Sequence, residues 1–195
     1  VDGAVLVISV VDGIQFYTEK VWTWATEQSI PKIIFINKVD HEQADVFSVI
    51  ESIKNRFNVN PLCIHVPMGT GENFKGIVDV LKNKSYTYQK DGSGKNTVGV
   101  IPEDMIEEVK STFAEITESV AEVDDELTEN YLENGELSAK EFDIGLKQGL
   151  KEGKLLPVFL GSATQNIGID RLMDAIVQFL PSPEQRGPVK GKNPK

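Results

Sequence analysis

Asn37-Lys38-Val39-Asp40 directly follows the apolar run Ile33-Ile34-Phe35-Ile36. Such a run, entered after Pro31, predicts a short strand buried on both faces. The tetrapeptide then emerges at the carboxyl end of a parallel strand, where open α/β sheets bind ligands. Its residue types suit a purine that presents guanine's edge. A carboxylate at Asp40 accepts two hydrogen bonds at once, from the ring N–H and the exocyclic amine, and adenine lacks that pair of donors. Asn37 can donate to O6 and N7 on the other edge and also tie neighbouring loops together. The apolar stem of Lys38 can lie over the base. Sites that bury such polar groups reject a wrong partner steeply, by about 10⁴-fold.

Gly161-Ser162-Ala163 follows a second apolar run, Leu156 to Leu160. Small residues let backbone approach a ligand closely, and the Ala163 N–H is placed to reach the guanine carbonyl oxygen. Read alone, each string has a bland meaning: a polar turn capping a strand, and an ordinary small-residue loop. Both strings in this order, each at the exit of a strand and one strand apart in the α/β layer, predict a guanine site.

The elements that must position them come from the pattern of apolar residues. Val5 to Val11 is a β-branched run expected to be a strand buried on both faces, ended by Asp12-Gly13. Ile14, Tyr17, Val21, Trp24 and Ala25 fall on one helical face, and Trp24 is expected in the core. Val46, Val49, Ile50, Ile53 and Phe57 predict a second helix, and Pro61 to Val66 a third strand. This β-α-β-α-β rhythm implies a parallel sheet with right-handed crossovers. Between about residues 68 and 154 the rhythm breaks. Short strands over Phe74 to Tyr88 and the flexible turn Asp91-Gly92-Ser93-Gly94 precede a helical stripe running from Ile106 to Leu127, interrupted near Asp124-Asp125. Ser138-Ala139-Lys140-Glu141 is a capping box, and Gly153 is placed to stop the helix it opens. The α/β rhythm resumes at Leu155, and a closing helix through Ile169, Leu172, Met173, Ile176 and Phe179 ends at Pro181.

The 195 residues, 40% hydrophobic and 26% charged, suit a globular chain and exclude a collagenous or wholly disordered one. Cys63 is the one cysteine, so no intrachain disulfide can form, and a reducing, cytoplasmic setting is expected. The longest apolar stretch, Ala4 to Val11, is far short of a membrane span. The net charge of −10 argues against nucleic-acid binding by the whole surface. It is unevenly placed: residues 101–152 carry 16 acidic and 4 basic side chains, and the remainder is close to neutral. The chain enters its first strand straight from Val1-Asp2-Gly3, without an initiator Met, so an upstream segment is expected. Pro181-Ser182-Pro183 onward is rich in Pro, Gly and Lys and reads as a linker.

The series of segments resembles the G domain of elongation factor G, a translational GTPase, over almost the whole chain. It is carried by Asp2-Gly3-Ala4-Val5, Thr18-Glu19-Lys20-Val21-Trp22, Asn37 to Asp40, Asn73-Phe74-Lys75-Gly76-Ile77-Val78-Asp79, Tyr131-Leu132-Glu133, Pro157-Val158-Phe159, Gly161-Ser162-Ala163 and Leu180-Pro181-Ser182-Pro183. The resemblance implies a P-loop-NTPase-type parallel sheet with flanking helices, interrupted by an α+β insert. Residues 1–67 and 155–181 would form the guanine-binding part, 68–154 the family's G′ insert, and 182–195 a linker to a following domain. GTP or GDP would meet Asn37, Lys38, Asp40, Ser162 and Ala163 through its guanine moiety. Mg²⁺ is expected in the parent protein, with no ligand for it in this chain.

No G-x-x-x-x-G-K-[ST] string occurs, and the D-x-x-G match at Asp91 to Gly94 lies in the insert's turn, away from its expected place. The phosphate-binding loop and the switch residues would therefore lie upstream of Val1, and this chain by itself is expected to assign no catalytic residue and to hydrolyse no GTP. The expected partners are the ribosome, with the large-subunit stalk proteins met through the insert, and the expected state is a monomer off the membrane. Phe16-Tyr17, where many relatives carry a smaller or polar pair, and the tail from Gln185 leave open an elongation factor G-like paralogue with a different ribosomal role. A protein-binding module without nucleotide binding also stays open. An unrelated Rossmann-type enzyme would need a G-x-G-x-x-G after a strand, which is missing. His65 and Cys63, two residues apart, lack further ligands nearby and are read as structural, with no metal site.

Overall fold

The run Lys32–Asn37 forms β2, and its four apolar residues from Ile33 to Ile36 are all buried. In the computed structural model, which describes residues 1–182 and Glu184, β2 lies inside a four-stranded parallel sheet. Its neighbours are β1 (Ala4–Ser9) on one side and β8 (Leu156–Leu160) on the other, with β3 (Pro61–Cys63) beyond β8. Helices α1 (Phe16–Glu27), α2 (Val46–Phe57) and α6 (Ile169–Phe179) accompany these strands. The last strand of the layer thus returns to its middle. The register pairs Ile34 with Val158 and Ile36 with Leu160, so the exits of β2 and β8 lie side by side.

Between β3 and β8 the chain builds a second sheet, antiparallel and in sequence order: β4 (His65–Met68), β5 (Gly76–Asp79), β6 (Lys84–Tyr88) and β7 (Asn96–Gly99). Three helices follow: α3 (Ile106–Ala121), α4 (Asp125–Asn134) and α5 (Ala139–Glu152). The stripe break near Asp124 is real, because Asp124 caps α4 by accepting from the Glu126 N–H. The Ser138–Glu141 box is formed in both directions, and Gly153, at φ +71, ends α5 in the left-handed conformation. The α/β layer with an α+β interruption is therefore the observed architecture.

The two sheets share their cores. One cluster joins Ile36, Val39, Leu160 and Ile167 of the first layer to Phe74, Ile77, Tyr86 and Tyr88 of the second segment. The other joins Ile33, Phe35 and Phe159 to Val66, Val78, Ile116, Val120 and Leu150.

Three local expectations need correction. β1 is an edge strand, so its β-branched run is not buried on both faces, and Val7 is 58% exposed. On α1 the packed tryptophan is Trp22, stacked on Phe57 at 4.1 Å, whereas Trp24 is 54% exposed. The stretch Pro61 to Val66 is two strands, one in each sheet: β3 ends at Cys63 and β4 begins at His65. The tail read as a linker lies, beyond Ser182 and apart from Glu184, outside the described residues. Among the described residues no helix is long and apolar enough to cross a membrane.

Candidate functional site

Asn37 ends β2, and Val39, two residues on, is wholly buried. Val39 acts as a peg. Its N–H donates to the Gly161 carbonyl at 3.2 Å, and its own carbonyl accepts the Gly71 N–H at 3.1 Å. Lys38, between Asn37 and this peg, takes a left-handed φ of +66, uncommon for a residue with a side chain and concentrated at functional sites. Its side chain is exposed, and Nζ donates to Asp12 Oδ2 at 3.1 Å. The hydroxyl of Ser9 and then Lys38 hold the Asp12 carboxyl below its usual range. Asp40 sits half-buried at the end of the same turn, which closes with the His41 N–H on the Lys38 carbonyl at 2.9 Å.

The second loop leaves β8 at Gly161 and is bridged across its base by Ser162 and Ile167. A Cβ at Gly161 would stand 2.1 Å from the Ile167 carbonyl oxygen, so only glycine fits this close approach. Ser162 is completely buried. Its Oγ accepts the Gln165 N–H at 3.3 Å and pairs with the Thr164 hydroxyl at 3.2 Å, so it shapes the loop from within.

The two loops are stitched directly: Asn37 Oδ1 accepts the Ala163 N–H at 2.9 Å. With its oxygen so occupied, the Asn37 amide nitrogen is the end left to donate outward. The structure thus brings Asn37 and Ala163 together at one mouth, sets Asp40 on the same turn as Asn37, turns Lys38 toward Asp12 and faces Ser162 inward. Among the described residues no group of three or more His, Cys, Asp or Glu side chains is arranged to hold a metal ion.

The profile of the family described as the elongation factor Tu GTP binding domain matches residues 1–182. This chain belongs to that family. A crystal structure of a protein from Thermus thermophilus superposes with a TM-score of 0.84 at 29% sequence identity, over 95% of this chain. The match spans only 27% of the Thermus chain. In this chain the N-K-x-D turn and the G-S-A loop leave adjacent parallel strands side by side.

Several participants escape sequence reasoning. Asp12 reads only as a strand stop, although it pairs with Lys38 across the sheet exit. Gly71, in a 3₁₀ turn of the second segment, braces the peg residue Val39. Asp170 at the start of α6 collects donors from β6 and β7. Each is a pairing between residues distant in sequence, and no local pattern announces it.

Proposed function

We propose that this chain is the guanine-binding part of a ribosome-associated translational GTPase resembling elongation factor G. The observation that carries the reading is the Asn37–Ala163 hydrogen bond, which joins the two loops into a single mouth. Asp40 accepts from the guanine ring N–H and the exocyclic amine, and the Asn37 amide donates to the far edge of the base. Ala163 N–H donates to the guanine carbonyl, sharing or exchanging its present acceptor on Asn37 as the base arrives. The Lys38 stem covers one face, and Ser162 keeps the loop in shape. In the longer family protein Mg²⁺ accompanies the phosphates, and none of its ligands is assigned here.

On this reading residues 1–67 and 155–181 are the nucleotide layer, and 68–154 are a G′-type insert that meets the large-subunit stalk proteins. The acidity of residues 101–152 is then the insert's own, and the near-neutral layer need not repel ribosomal RNA. Binding of the chain to purified stalk protein checks that partner, and no measurable association would remove it.

The base assignment is tested by Asp40→Asn in the longer protein. The variant should lose guanine nucleotide and gain xanthine nucleotide, whose carbonyl replaces the exocyclic amine. Unchanged affinity for GDP would sink the role of Asp40.

A further inference from the structure

The turn between β6 and β7 does not hang free. Tyr88 at the end of β6 and Asn96 at the start of β7 are register partners, and both donate to Asp170. The Tyr88 hydroxyl reaches Oδ1 at 2.5 Å and the Asn96 amide reaches Oδ2 at 2.9 Å. Arg171 completes the cluster, pairing with Asp170 and Asp174 at 3.1 Å each while its guanidinium lies over the Tyr86 ring at 4.7 Å. Partial burial would push the Asp170 carboxyl up, but the Tyr88 hydroxyl and Arg171 hold it below its usual range.

Asp170 is the second residue of α6, immediately after the loop that carries Ala163. The same hairpin touches that loop directly: Asn166 Nδ2 donates to the Gly92 carbonyl at 3.4 Å. A Cβ on Gly94 would stand 2.6 Å from the same amide, so turn and loop are in contact. The other base loop is held from the second segment too, by the Gly71 N–H on the Val39 carbonyl. Both loops of the mouth therefore lean on the second sheet or the turn within it. Hydrogen bonds to a charged acceptor are the stronger kind, and two converge on Asp170 from one hairpin.

We propose that the β6–β7 hairpin positions the base site, with Tyr88 and Asn96 acting through Asp170 to fix the Gly161–Gly168 loop, so that displacing the hairpin loosens the hold on guanine. The guanine half of this statement rests on the function proposed above. Tyr88 and Asn96 are positioning residues, since they act on the base only through the loop.

The test is amide hydrogen exchange on the wild-type chain, on Tyr88→Phe/Asn96→Ala, and on a control, Asn60→Ala/Asn130→Ala. The control removes two comparable side-chain hydrogen bonds, to Ser119 and to Glu141, away from the loop. The hairpin variant should exchange roughly tenfold faster over residues 162–167, with β1 and β2 unchanged. The control should leave the loop at the wild-type rate. Unchanged loop exchange in the hairpin variant, or equal acceleration in the control, would overturn the inference. Release of a fluorescent GDP analogue from the longer protein carrying the same substitutions supplies the second readout and should quicken by a similar factor in the hairpin variant alone. If the longer wild-type protein holds no GDP analogue, the proposed guanine role fails, while the exchange contrast still decides whether the hairpin fixes the loop.

Discussion

Asn37 Oδ1 and the Ala163 N–H, 126 residues apart in the chain, meet at 2.9 Å. One side chain therefore does two things: its oxygen holds the second loop in place, and its nitrogen remains as a donor at the mouth. The two roles can be separated by substitution.

Asn37→Ala removes both. It should lower stability by about 1 kcal/mol, the usual net worth of one hydrogen bond, and abolish base discrimination. Asn37→Asp keeps an acceptor for Ala163 and loses only the outward donor. Its unfolding midpoint in urea should stay near wild type while guanine nucleotide binding falls. If both variants lose stability equally, the oxygen is not what joins the loops.

Gly161 tests the shape of the second loop. A methyl group there must displace the Ile167 carbonyl, which also accepts the Ser162 N–H. Gly161→Ala should destabilise the chain by about 1–3 kcal/mol through overpacking. Thermal unfolding reads the effect, and a midpoint within a degree of wild type would contradict the close approach.

Much of this was legible from short-range pattern. The Ser138–Glu141 box, the break at Asp124 and the buried strand before Asn37 follow from spacing alone, because caps and apolar periods act within a few residues. What was not legible is set by strand order. Val7 looks like any core valine, and only the placement of β1 at the sheet edge exposes it. Trp22 and Trp24 differ by two positions on one helix, and the stacking partner that chooses between them, Phe57, comes from α2. The half-site loops were readable one at a time. Their direct contact, and the bracing of each by the second sheet's segment, needed the long-range pairing of β2 with β8.

His65 gives the chain an acid sensitivity. It is buried on β4, edge-on to Phe159, and among the described residues neither ring nitrogen finds a partner in good hydrogen-bond geometry. Burial pushes its pKa down to about 4 from the ordinary 6.5. Asp79 and the nearby Leu160 backbone oppose that shift, and Lys82 and Arg171 reinforce it. The unfolded chain therefore takes up a proton below pH 6.5 that the folded chain refuses until about pH 4. Stability is full above pH 6.5 and declines as pH falls toward 4, by about 3 kcal/mol in all. Urea denaturation at stepped pH should show this slope in wild type and a flatter one in His65→Leu. Identical slopes would clear His65 of the effect.

The two tryptophans should report their different surroundings. Trp22 stacks on Phe57 with the rings only 14° from parallel, and the Lys32 ammonium lies 5.0 Å from its ring centre. Trp24 faces outward beside Lys20. Trp22→Ala removes a large packed ring and should cost about 2 kcal/mol or more, less than the 3–5 of a fully enclosed aromatic because Trp22 is only half-buried. Trp24→Ala touches no core and should stay within about 0.5 kcal/mol of wild type. Fluorescence separates them independently of stability: acrylamide should quench Trp24→Phe, which retains Trp22, more weakly than Trp22→Phe, which retains Trp24. The reverse order of quenching would return Trp24 to the core, the position its helical spacing had suggested.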